Sequence, residues 1–109
     1  MNWVANAARN SGRPSVASIS IAGSYSAAVN AAAANLVFSG VTTIVGAGNN
    51  NTDAGLTSPA STPSVITVGA TTIADARADY SNYGPVVDIW APGGQTQMSR
   101  FQKPSHMRL

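Results

Sequence analysis

The chain has 109 residues, of which 44% are hydrophobic, so it is long enough for one small domain with a modest core. Charged residues make up only 9%, against about a quarter in a typical domain, and the net charge of +2 owes much to Arg100, Lys103 and Arg108 at the C-terminal end, which gives the rest no nucleic-acid character. No apolar run is long enough to span a membrane, no basic segment leads into an apolar one at the N-terminus, and the absence of cysteine excludes disulfides without choosing a compartment.

From Met1 to Ser11, Trp3, Val4, Ala7 and Ala8 recur at helical spacing, with Gly12 placed as a stop and Pro14 just beyond. This predicts a helix, either the end of a longer one or a short amphipathic start. Ser15 to Ile21 alternates small polar with aliphatic residues and predicts a strand that Ala22, Gly23 and Ser24 end. Ser26 to Ser39 is alanine-rich, with Val29, Ala32, Ala33, Leu36 and Val37 on one face and Gly40 at the stop, so it predicts a second helix. A strand follows at Val41 to Val45, whose β-branched and aliphatic side chains suit cover on both faces. Strand, helix and strand make a crossover with parallel strands, which brings Ile21 to Gly23 and Gly46 to Asn49 to the same sheet edge, where ligands bind in open α/β sheets.

At that edge the side chains shrink to Gly46, Ala47 and Gly48, and Asn49 then offers an amide with two N–H donors. Two kinds of site fit such a turn. A dinucleotide fingerprint needs a third glycine and a helix, but Asn51 stands at the third position, and Thr52, Asp53, Gly55, Ser58, Pro59 and Pro63 favour turns. An oxyanion hole needs only a fixed donor aimed at the negative oxygen of acyl transfer. Asn50-Asn51-Thr52 also matches a glycosylation sequon, although a plain polar turn is the better reading of it. Farther on, Val65 to Val68 predicts a short strand. Asp75, Arg77 and Asp79 mark a solvated excursion whose far side Tyr80, Tyr83 and Pro85 pack, and Val86 to Trp90 predicts a last strand.

The blocks Val45 to Asn51, Ser58-Pro59-Ala60-Ser61, Pro63 to Ala70, Ser81-Asn82-Tyr83-Gly84 and Asp88-Ile89-Trp90-Ala91-Pro92-Gly93, in this order, resemble the middle of a subtilisin-like serine protease of the fungal proteinase K type. The resemblance runs from Met1 to about Gly93. It implies a three-layer α/β fold with a parallel sheet, only part of which is present, and an extracellular parent enzyme that hydrolyses peptide or protein substrates. Asn49 matches the family's oxyanion-hole asparagine. Ser20, Ile21, Ala22 and Gly23 match its substrate-binding strand end, where Ala22 stands in place of the usual glycine. Gly46, Ala47 and Gly48 match the opposite wall of the first specificity pocket. Asp88, with the backbone oxygens of Pro63 and Val65, matches a structural calcium site, and an unliganded Asp88 at a strand start is the alternative. No organic cofactor is implied.

The family's catalytic aspartate, histidine and serine blocks do not occur. The single histidine, His106, lies in the stretch from Gly94 to Leu109, which matches nothing in the family and reads as a disordered basic tail, without the aromatic platform that nucleic-acid binding would use. Such a chain is expected to be inactive by itself and to self-associate through open sheet edges. A non-catalytic peptide-binding or dominant-negative module is the alternative function.

Overall fold

The helix and strand patterns can be followed in a computed structural model that describes residues 1–93; the basic tail expected from Gly94 onward lies outside the described residues. Helix α1 (Asn2–Ser11) stops where Gly12, at a φ of 66°, donates its N–H to the Arg9 carbonyl. Strand β1 (Val16–Ile19) is shorter than the stretch from Ser15 to Ile21 suggested, and Gly23–Ser24 forms a second short strand, β2, where a simple end was expected. Helix α2 (Ala27–Phe38) is capped by Ser26, whose hydroxyl oxygen accepts the Val29 N–H at 3.2 Å. Strand β3 (Thr42–Gly46) runs into the glycine-asparagine turn. A single 3-10 turn at Ala54–Leu56 leads to β4 (Thr57–Ser58), and β5 (Ile66–Thr71) and β6 (Ile89–Pro92) complete the described strands.

Strands β1, β3, β5 and β6 form a parallel sheet in that order, and β2 pairs antiparallel with β4 in a separate ribbon. The two-residue period of a strand then sorts the side chains. Ala17, Ile19, Val41 and Val45 point to the face that both helices cover: Ala33 of α2 packs with Val45, and Ala5 of α1 packs with Leu36 and Val41. On the opposite face, which carries no helix among the described residues, Val16, Ile66 and Ile89 remain 68, 41 and 54% exposed.

Two expectations are corrected here. The strand before the turn is covered on one face only, with Thr42 exposed and Ile44 half-buried, because α1 and α2 pack on the same side. The last strand begins later than Val86. Val86 and Val87 instead pack against the core from a turn in which the Val87 N–H reaches the Gly84 carbonyl at 3.1 Å. Pairing starts only at Asp88, whose N–H donates to the Thr67 carbonyl and whose Oδ2 accepts the Thr67 N–H, both at 2.8 Å.

An apolar sheet face in water, bounded by outer edges of β1 and β6 that no described strand pairs, favours contact with another copy. Sedimentation velocity on the purified chain should find species larger than the monomer, with a shift toward monomer when Ile89 is replaced by Lys. A monodisperse monomer with a sharp cooperative melt would contradict this.

Candidate functional site

Parallel pairing brings the C-terminal ends of β1, β3, β5 and β6 to one edge, and a cleft of about 540 Å³ opens there. One rim is Ser20, Ile21 and Ala22 after β1; the other is Gly46, Ala47, Gly48 and Asn49 at the end of β3. Val68, Ala70 and Ala91 contribute small apolar walls, and no charged side chain among the described residues lines it. The two rims come close: a Cβ built on Gly48 would lie 3.5 Å from the Cβ of Ala22. Gly23 does not line the cleft, because its backbone pairs with Ser58 in the β2–β4 ribbon. The stretch from Ser20 to Ala22 is exposed and lies outside any named strand.

The turn from Ala47 to Thr52 is held by hydrogen bonds on both sides of Asn49. The Ala47 N–H donates to the Val68 carbonyl at 2.8 Å, continuing the β3–β5 pairing. The Ala47 carbonyl accepts from Asn82 Nδ2 at 2.9 Å, and the Gly48 carbonyl accepts the Asn82 N–H at 2.9 Å. Asn82 Oδ1 accepts the N–H groups of Asn50 and Thr52 at 2.9 and 3.0 Å. The Asn51 N–H reaches the Tyr80 carbonyl at 3.0 Å, and Arg77 donates to Asn51 Oδ1 at 2.9 Å. Asn49 alone in this run makes no hydrogen bond, by N–H, carbonyl or side chain, to any other described residue; its side chain is exposed at the cleft.

Three residues that hold this turn were not legible as such in the sequence. Asn82 is wholly buried, yet Ser81-Asn82-Tyr83-Gly84 reads locally as an ordinary turn. Ser81, also buried, donates from Oγ to the Asn82 carbonyl at 2.9 Å and accepts the Ala70 N–H at 3.0 Å, tying the excursion to β5. Arg77 is exposed, as expected of a solvated excursion, but it also holds the turn. It donates to Asn51 Oδ1 and to the Ser81 carbonyl at 2.8 Å, with its guanidinium 5.1 Å from the centre of the Tyr83 ring. The nearest available signal was an arginine between two aspartates and followed by Tyr80 and Tyr83.

The residues of the expected cation site lie apart from the cleft. Pro63 and Asp88 are exposed and the Val65 side chain is buried, at the entries to β5 and β6. No group of three or more His, Cys, Asp or Glu side chains gathers among the described residues. A metal here would therefore depend on one carboxylate, backbone carbonyls and water.

A neutral cleft of small residues with an exposed primary amide at its mouth suits an uncharged, extended ligand and can donate a hydrogen bond to one of its oxygens. Comparison with known proteins gives that geometry a context. Residues 1–108 match the subtilase family. Over 95 residues the chain is 58% identical to the alkaline serine protease ver112 of Corniculantispora psalliotae and 58% identical to Proteinase R of Parengyodontium album, and it is 55% identical to the cuticle-degrading protease of Metarhizium anisopliae. Each alignment covers 85% of this chain but only 24 to 25% of the relative, so the chain spans about a quarter of the length of these curated relatives. The crystal structure of a cold adapted subtilisin-like serine proteinase superposes with a TM-score of 0.80 at 47% identity, covering 86% of this chain and 33% of that one.

Gly48 is a tight point of the site. Its φ is 104°, and an added Cβ would run into Asn82 Nδ2. The substitution Gly48→Ala should therefore lower stability by about 1–3 kcal/mol, read as a fall in the denaturation midpoint. An unchanged midpoint would mean that the turn relaxes freely at this position.

Proposed function

This chain belongs to the subtilase family of subtilisin-like serine proteases, and from that premise we propose that it is a segment of a secreted endopeptidase that hydrolyses peptide bonds. In this reading Asn49 donates a side-chain N–H to the oxyanion that forms when a scissile carbonyl is attacked. Ser20 to Ala22 offer backbone groups to an extended peptide, in the manner of strand addition. Gly46 to Gly48 leave room for the first substrate side chain, which favours apolar or aromatic residues. The low charge of the chain suits an extracellular parent enzyme.

The observation that carries this reading is the isolation of Asn49 within a turn otherwise tied down. A donor bonded to its own protein would have to break that bond before serving a substrate. A donor already free and held at the cleft mouth needs no such rearrangement, which is the condition for electrostatic stabilisation of a transition state.

Peptide hydrolysis of this type also needs a serine, a histidine to take its proton and an aspartate to orient the histidine. Among the described residues no histidine occurs and no carboxylate lines the cleft. The chain by itself is therefore expected to leave fluorogenic peptides uncut; inhibitor-sensitive turnover by the purified chain would contradict this. The segment can be tested in context by placing residues 1–93 in the corresponding stretch of Proteinase R. Asn49→Ala in that active chimera should lower kcat by roughly a hundred- to a thousand-fold, a size borrowed from the equivalent donor of subtilisin. A change within about twofold would remove Asn49 from the chemistry. A cleft whose serines have no activating histidine among the described residues also supports a second reading, a non-catalytic peptide-binding module. Saturable peptide affinity of the chain alone, lost in Ala22→Trp, would favour it.

For calcium, the donor set fits a structural role. Asp88 Oδ2 is engaged by the Thr67 N–H, which fixes the carboxylate and leaves Oδ1 for a hard cation together with the carbonyls of Pro63 and Val65 and with water. Bound calcium would pin the entries of β5 and β6 together and take no part in hydrolysis. Calcium should then raise the melting temperature of the chain and fail to do so in Asp88→Asn; equal behaviour of the two would discard the site.

A further inference from the structure

A buried primary amide is expensive to desolvate, so one that is kept must have its donors and acceptor met. Asn82 is 0% exposed, and its partners concentrate on one short run. Nδ2 donates to the carbonyl of Ala47; Oδ1 accepts from the N–H of Asn50 and from the N–H and Oγ1 of Thr52; the backbone N–H donates to the carbonyl of Gly48. These contacts grip the chain before and after residue 49 and skip residue 49 itself. Steric contact adds to the grip, since Gly48 lies against the Asn82 amide with no room for a Cβ. Asn82 is in turn fixed to the sheet through Ser81, which bonds β5 at Ala70.

We propose that Asn82 is the positioning residue for Asn49: its buried amide clamps both flanks of the turn and so presents to the cleft the amide of Asn49, the residue between the clamped flanks. The proposal rests on the reading of Asn49 as an oxyanion donor and adds how that donor is aimed. Asn82 touches neither substrate nor reacting atoms, and its effect passes through the backbone of Gly48 and Asn50. The physical reason for such a clamp is that asparagine has two side-chain torsions, and an exposed amide on a loose loop would sample many orientations. Fixing the backbone on both sides removes the loop's share of that freedom and leaves only the two side-chain torsions to settle when substrate arrives.

The clamp can be read first in the unaltered 109-residue chain. Residue-resolved hydrogen exchange should find the amides of Asn50 and Thr52 slower than that of Asn49 by roughly tenfold or more; equal rates would overturn the clamp. Kinetics in the Proteinase R chimera then test its purpose. Asn82→Asp keeps the shape and the acceptor oxygen but removes the donor to Ala47, and it should lower kcat by roughly tenfold to a hundredfold with KM within about twofold. In the Asn49→Ala background the same substitution should cost nothing further. An equal loss in both backgrounds would make Asn82 a general structural residue and overturn the proposal, as would no loss in either. Should Asn82→Asp fail to fold, Thr52→Val, which removes a single partner of Oδ1, replaces it in the same cycle, with a smaller loss confined to the Asn49 background. If Asn49→Ala itself leaves kcat unchanged while Asn50 and Thr52 stay protected, the oxyanion reading falls and takes this proposal with it, and the protected amides distinguish that failure from failure of the clamp.

Discussion

The site depends on one fully buried amide. Asn82 lies 0% exposed on a segment far along the chain from the turn it holds, and it satisfies Ala47, Gly48, Asn50 and Thr52 at once. A loop that leaves a parallel strand has no ladder partner for its own N–H and C=O groups, and each must find a bond or stay in water. Here the side chain and backbone of a single residue supply those bonds. The loop thereby gains the rigidity of an extended strand without being one, and the residue left out of the network, Asn49, is exposed at the cleft.

The sheet makes that arrangement useful. Parallel strands end on the same side, so the clamped turn after β3 meets the exposed run after β1 across a short gap, with Gly48 and Ala22 nearly in contact. Both helices pack on one face through Ala5, Ala33, Leu36, Val41 and Val45, which fixes β1 and β3 relative to each other. The opposite face, with Val16, Ile66 and Ile89 exposed, has no such cover among the described residues. That one-sidedness accords with a chain spanning about a quarter of its curated relatives. It also separates two properties that usually coincide: local order at the cleft, which the hydrogen bonds supply, and global stability, to which the bare face contributes little.

Local features were legible in the sequence because their causes are local. Gly12 stops α1 by taking a left-handed conformation, Ser26 caps α2 three residues from the N–H it accepts, and the aliphatic run through Val45 forms β3. Features decided by distant partners were not. Gly23 and Ser24 read as an end, and they become a strand only because Thr57 and Ser58 arrive to pair with them. Val86 and Val87 have strand-forming side chains, but the bonds available at that point come from Thr67 to Asp88, and pairing starts there. Asn49 was singled out by its place after Gly46 to Gly48, a local pattern. Asn82, in Ser81-Asn82-Tyr83-Gly84, carries no local mark that distinguishes a turn asparagine from a buried clamp, and Arg77 shows only as a charge until Asn51 and Ser81 are beside it.

The central claim is that the amide of Asn49 is held where a developing negative oxygen will sit. Its most direct test is the crystal structure of the Proteinase R chimera carrying residues 1–93 with a peptide boronate bound to the host serine, since the tetrahedral adduct places an oxygen at the oxyanion position. The account predicts Asn49 Nδ2 at about 2.7–3.1 Å from that oxygen, with Asn82 still bonded to Ala47 and Asn50. An adduct oxygen served by other donors, with the Asn49 side chain turned away to solvent, would contradict it.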